Sequence, residues 1–118
     1  MKSFNPVVEK SFEFSIRIVK CYKYLIKKDT ALRSLYNQLL DSGTSIGANI
    51  SESQAAASKT DFRNKLRISL KEAYETEYWL KLFFKTEILE EKEYKSLLQN
   101  CLEIIRLLTS IIKNVKVI

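Results

Sequence analysis

Residues 91–115 read EKEYKSLLQNCLEIIRLLTSIIKNV, the most regular stretch of the chain. Leu98, Cys101, Ile105, Leu108, Ile112 and Val115 recur at steps of three and four, the spacing that lines one face of an α-helix. Glu90, Glu91 and Glu93 place negative charge on its first turn, where the helix dipole favours it. A helix with one apolar stripe is stable in water only when that stripe is covered, so the rest of the chain must supply partners.

Three further segments carry the same period. Upstream of a short turn at residues 86–89, Phe62, Leu66, Leu70, Ala73, Leu80 and Phe84 follow the capping-box pattern Ser58-Lys59-Thr60-Asp61. Before that, Asp29 is placed to cap a helix whose stripe is Leu32, Tyr36, Leu39, Gly43, Ile46 and Ile50. Gly43 falls on the stripe itself and reads as a close helix–helix contact within one continuous helix, although glycine there costs about 1 kcal/mol against alanine. The first helix opens at Asn5-Pro6, with Asn as cap and Pro at the first helical position, and ends on the cations Lys27 and Lys28. Its expected stripe is Val8, Phe12, Ser15, Val19, Tyr22 and Ile26. Four stripes of similar length joined by short connections give an all-α, up-down-up-down antiparallel four-helix bundle, a single domain over residues 1–118.

Composition narrows the chemistry. Forty-six per cent hydrophobic and 29% charged residues describe an ordinary globular chain, and two glycines with one proline are too few for a turn-rich β-sandwich. Histidine is absent, which removes the commonest general base and metal ligand and every Ser-His or Cys-His dyad. A di-iron bundle site needs Glu-x-x-His on two helices and so cannot be built in that form. Gly43 and Gly47 lie within a helical pattern, not a phosphate loop. Glu72 and Glu75, one turn apart, form a carboxylate pair more often structural than catalytic. The expectation is a protein that is not an enzyme, with no catalytic residues, metal or cofactor. Cys21 and Cys101, on or beside apolar stripes, read as reduced core thiols, with a disulfide or a metal pair as the alternative. The polar start Met1-Lys2-Ser3 is no signal peptide, and no apolar run is long enough to span a bilayer, so the cytoplasm is expected.

The net charge of +6 is unevenly placed. Lys59, Arg63, Arg67 and Lys71, spaced by four, form one ridge, and Arg17, Lys20 and Lys27 gather on the first helix. Residues 72–95 hold four cations and seven anions. Such ridges are either solvated faces or phosphate-binding surfaces, and the basic ones are the candidate nucleic-acid-binding residues. Residues 73–84 carry apolar or aromatic side chains on several faces at once, which is more than one bundle core requires. Tyr74, Tyr78, Trp79, Leu82 and Phe83 are therefore the candidate oligomer interface, against the alternative of tyrosines lying along the surface.

Ser45-Ile46-Gly47-Ala48-Asn49-Ile50-Ser51-Glu52, then Ser58-Lys59-x-x-Phe62, then Lys71-Glu72-Ala73-x-Glu75-Thr76-x-Tyr78-Trp79-Leu80 resemble the four-helix-bundle proteins encoded in intervening sequences of bacterial 23S rRNA genes. The accessory variability determinant of diversity-generating retroelements is similar to these. The resemblance covers nearly the whole chain and implies a barrel-like homopentamer. For the retroelement relatives it implies binding of RNA or DNA and of a reverse transcriptase through a basic surface. The family's recurrent polar positions map to Asn49 and Glu52 and to Glu72 and Glu75, read here as a structural polar cluster between the second and third helices. Many relatives have proline where Gly47 stands, glycine where Ser53 stands and glycine in the turn before the last helix. The first two departures favour an unkinked second helix.

Overall fold

A computed structural model describes residues 5–117; the polar start at residues 1–3 lies outside them. Four helices follow in order: α1 (Pro6–Lys28), α2 (Arg33–Ser53), α3 (Lys59–Lys85) and α4 (Glu91–Asn114). No strand occurs among the described residues. Each helix packs on its neighbours in sequence, and α1 closes the ring against α4. The backbones of α1 and α3, and those of α2 and α4, nowhere come within 8 Å between Cα atoms among the described residues, so each pair lies across a diagonal. The bundle is a rod of 49 × 26 × 19 Å.

Local chemistry accounts for most helix ends. Pro6 opens α1, and the Ser58 hydroxyl accepts from the Asp61 amide at 3.0 Å to open α3. Two expected caps act differently. Asn5 stands at the N-cap of α1, but its side chain donates to Gln54 instead of capping. Asp29 terminates α1, and its carboxylate accepts from the Ala31 amide at 2.8 Å; α2 begins only at Arg33, after an uncapped Leu32. The α3–α4 turn closes as a Schellman motif: Ile88 donates to the Phe83 carbonyl at 2.8 Å and Glu87 to that of Phe84 at 3.1 Å. This motif puts Glu87 at φ 64°, the left-handed region that suits glycine.

The second helix is continuous and buries Tyr36, Leu39, Gly43, Ile46 and Ile50, as its stripe required, while Leu32 stays exposed. A Cβ on Gly43 would lie 2.8 Å from both Cγ atoms of Ile18, so α1 and α2 approach closely there. Gly47 makes a second close approach, where a Cβ would meet Ser15 Oγ at 2.9 Å and the Ser11 carbonyl oxygen at 3.1 Å.

That approach corrects the expected stripe of α1. The inward residues are Val7, Ser11, Phe14, Ile18, Cys21 and Leu25. Both sets step 4, 3, 4, 3, 4, and they differ by one residue, a rotation of about 100°. Gly47 is matched by the short side chains Ser11 and Ser15 opposite it, while Gly43 makes room for the branched Ile18. Phe12 and Val19 consequently turn outward, 67% and 38% exposed, with Ile16 between them at 42%.

The α3 stripe is also mixed: Leu66, Ala73 and Leu80 are buried as expected, but Ser69, Thr76 and Phe83 complete the inward face, and Phe62, Leu70 and Phe84 are half-buried. Ser69 donates across the seam to the Ile46 carbonyl at 2.8 Å, and Thr76 Oγ1 lies 3.0 Å from Ser42 Oγ. Short hydroxyl side chains let α2 and α3 approach while satisfying their own polar atoms. In α4, Cys101, Ile105 and Leu108 are buried, joined by Leu97 and Ile104, while Leu98 and Ile112 sit half-buried at the edge.

Candidate nucleic-acid interface

Opposite the buried face of α3 runs a row of exposed side chains: Arg67, Lys71, Tyr74, Tyr78, Lys81 and Lys85, at steps of 4, 3, 4, 3, 4. Four cations thus flank two tyrosines that are 52% and 59% exposed. At 1.5 Å per residue the row spans about 27 Å. Glu75 is the exposed acid beside it, one turn from Lys71. The Lys85 ammonium sits 5.6 Å from the centre of the Phe84 ring, and that ring stacks on Tyr94 with 4.4 Å between centroids. Lys59 is exposed at the start of α3, whereas Arg63 is half-buried and its Nε is enclosed without an acceptor.

The cations of α1 are placed differently. Arg17 is not free: its guanidinium donates to Asn100 Oδ1 and lies 3.7 Å from Glu93, both on α4. Lys20 and Lys27 are exposed. Because α1 and α3 lie across a diagonal, the two basic ridges do not merge into one surface within a protomer. Lys65 is drawn to Glu52 at 3.4 Å.

The candidate interface residues separate as well. Tyr74 and Tyr78 are exposed; Trp79 and Leu82 are half-buried against the core, with Trp79 in edge contact with Tyr78 at 5.0 Å between centroids. The Trp79 indole N–H is enclosed without an acceptor. Phe83 is fully buried and meets Tyr36 edge-on at 5.8 Å, so it offers no surface to a second copy. The contiguous exposed apolar side chains sequence reasoning missed are Phe12, Ile16 and Val19, hidden by the wrong rotation of α1.

The four polar residues do not form one cluster. Asn49 donates to the Ser45 carbonyl of its own helix at 2.8 Å, and Glu52 pairs with Lys65. Glu72 and Glu75 lie further along, near Asp41, where burial first and the neighbouring Glu75 second raise the Glu72 carboxyl above its ordinary range. The antiparallel run of α2 against α3 separates the two pairs along the rod. The buried polar seam that does exist, Ser42, Ser69 and Thr76, went unrecognised because short hydroxyl residues at stripe positions break an apolar pattern.

Both cysteines are buried and free. Cys101 donates to the Ala73 carbonyl at 3.3 Å, tying α4 to α3. Burial pushes its thiol up to about 12 and that of Cys21 to about 11, which leaves both protonated and unreactive at neutral pH. No group of three or more Cys, Asp or Glu among the described residues is arranged to hold a metal ion, and no described helix is long and apolar enough to cross a membrane.

No curated protein matches the chain. A solved structure from Bacteroides thetaiotaomicron, described as a protein with unknown function from the S23 ribosomal protein family, is similar at 50% identity and a TM-score of 0.86, over 92% of this chain and 99% of that one. The sequence profile of the 23S rRNA-intervening sequence proteins matches residues 5–110. That match spans all of the bundle except the last turn of α4 and the residues after it, and the chain belongs to the 23S rRNA-intervening sequence protein family.

Proposed function

We propose that the protein is a non-enzymatic, self-associating helical bundle that binds RNA or another nucleic acid through the outward face of α3. The observation that carries this reading is the exposed row Arg67, Lys71, Tyr74, Tyr78, Lys81 and Lys85. The cations meet phosphates at a fixed helical pitch, and the two tyrosines offer stacking surfaces to unpaired bases. Binding of this kind depends little on sequence and favours single strands. Four cations per protomer support only weak binding, and self-association repeats the row and adds avidity without new contacts.

Self-association itself is best supported by the outward stripe Phe12, Ile16 and Val19, an apolar face on a helix whose inward side already fills the core. Here the interface moves from α3 to α1, which leaves Tyr74 and Tyr78 for the nucleic acid. The family resemblance supplies five as the number of copies and, for the retroelement relatives, a reverse transcriptase as protein partner. Two protonated, buried thiols suit a cytoplasmic protein.

The test is a titration of labelled single-stranded RNA and duplex DNA at two salt concentrations. For four phosphate contacts on a single strand, at about 0.7 counterion each, raising salt from about 50 to about 200 mM should weaken binding roughly fifty-fold. Binding that does not respond to salt, or none at low salt, removes the nucleic-acid reading and leaves a protein–protein adaptor docked through α1.

A further inference from the structure

A cleft of about 380 Å³ opens between the C-terminal half of α1 and the start of α4, a size within the roughly 300–1,000 Å³ usual for small-molecule sites. Its floor is apolar, made by Cys21, Ile88 and Leu89. One wall is the ring of Tyr24, 56% exposed, with the Lys28 ammonium 5.7 Å from its centre. At the rim Lys20 and Lys28 have no carboxylate within ion-pair distance among the described residues. Glu90 stands across from them at the N-cap of α4, and its side chain makes no capping bond. Arg17 and Glu93 close the inner end by pairing with each other.

We propose that this cleft binds a purine nucleoside monophosphate unit. The base stacks on Tyr24 above the Ile88–Leu89 floor, the phosphate takes Lys20 and Lys28, and the Glu90 carboxylate accepts from the N–H donors of the base edge. Each feature removes a competitor. A bare phosphate leaves the ring wall and apolar floor unused, an aliphatic acid has no donor for Glu90, and a neutral aromatic has no charge for the two lysines. Lys28 already rests on the Tyr24 ring, so its movement to the phosphate uncovers that ring for the base. The unit comes either from a free nucleotide or from an unpaired residue of a bound strand. The second source rests on and deepens the nucleic-acid reading, with the cleft built from α1, the α3–α4 turn and the start of α4.

Calorimetric titration with GMP, AMP, UMP and inorganic phosphate tests the cleft, with Tyr24→Ala, Tyr24→Phe and a Lys20→Ala, Lys28→Ala double variant. These side chains are exposed, so unchanged melting temperatures are expected and serve as the folding control. GMP should bind saturably and more tightly than AMP, with UMP and phosphate weaker still. Tyr24→Ala and the lysine double variant should each weaken GMP at least tenfold, and Tyr24→Phe should restore it. A single-stranded oligonucleotide that displaces GMP identifies the strand as the source, and one that does not identifies the free nucleotide. Absence of saturable GMP binding, phosphate binding as tightly as GMP, or indifference to Tyr24→Ala overturns the proposal. GMP binding should survive Arg67→Glu with Lys71→Glu, so loss of RNA binding alone removes the α3 reading and loss of GMP binding alone removes the cleft.

Discussion

The outward faces of α1 and α3, set across the diagonal of the bundle, show what one period can conceal. Both helices repeat at steps of three and four on their solvent side. On α1 the repeat is apolar through its middle, Phe12, Ile16 and Val19; on α3 it is cationic around two tyrosines. An apolar outward stripe asks for a protein surface, whereas a cation–aromatic row suits a polyanion with exposed bases. On the proposed reading, the same helical spacing serves two kinds of partner.

The sharpest contrast lies within α1. Phe14 is buried in the core and Phe12 is 67% exposed. Phe14→Ala should cost about 3–5 kcal/mol, and Phe12→Ala no more than about 0.5 kcal/mol. Chemical denaturation of the two variants measures both, and sedimentation should show Phe12→Ala with weakened self-association. A larger cost for Phe12→Ala than for Phe14→Ala would mean that α1 is rotated onto the stripe Val8, Phe12, Ser15, Val19, Tyr22 and Ile26.

Next in size is the contact that sets this rotation. Gly43→Ala drives a methyl group against Ile18, a stiff β-branched side chain at the core, and should cost about 1–3 kcal/mol despite the better helix propensity of alanine. A gain in stability would show that the α1–α2 approach is looser than the glycine implies.

The α3 side answers with smaller effects. Glu87 occupies a left-handed position, so Glu87→Gly should raise stability by about 1 kcal/mol in thermal or denaturant melts. A loss would place the turn in another conformation. Smaller again is Glu72, whose carboxyl is raised by burial and by Glu75. The folded state holds that proton more tightly than the unfolded chain, so ionisation costs stability as pH rises through the raised value. Glu72→Gln should therefore stabilise by about 0.2–0.5 kcal/mol at neutral pH, and the gain should vanish below the ordinary carboxylate range. A gain that grows on acidification would contradict this sign.

The bundle was legible because four stripes need one another, and the role of Gly43 was legible because it falls on its stripe. The rotation of α1 was not. The expected and observed stripes have identical steps and comparable apolar content, and only the seating of Ile18 on Gly43 and of Ser11 and Ser15 on Gly47 separates them. On α3, Lys81 and Lys85 continue the steps from Arg67 through Tyr78, a signal present in the sequence but masked by the acidic balance of residues 72–95. The pairing of Arg17 with α4 and of Lys65 with Glu52 depends on tertiary placement that no local spacing encodes.

The outward face of α3 is tested most directly by titrating labelled single-stranded RNA at low salt into three proteins: the unaltered chain, Arg67→Glu with Lys71→Glu, and Lys23→Glu with Lys27→Glu. Each double variant changes the net charge by the same amount, so long-range attraction falls equally in both. The α3 variant should lose at least ten-fold in affinity beyond the loss seen with the α1 variant. Equal losses from the two faces, or a greater loss from α1, would contradict the assignment of nucleic-acid binding to α3.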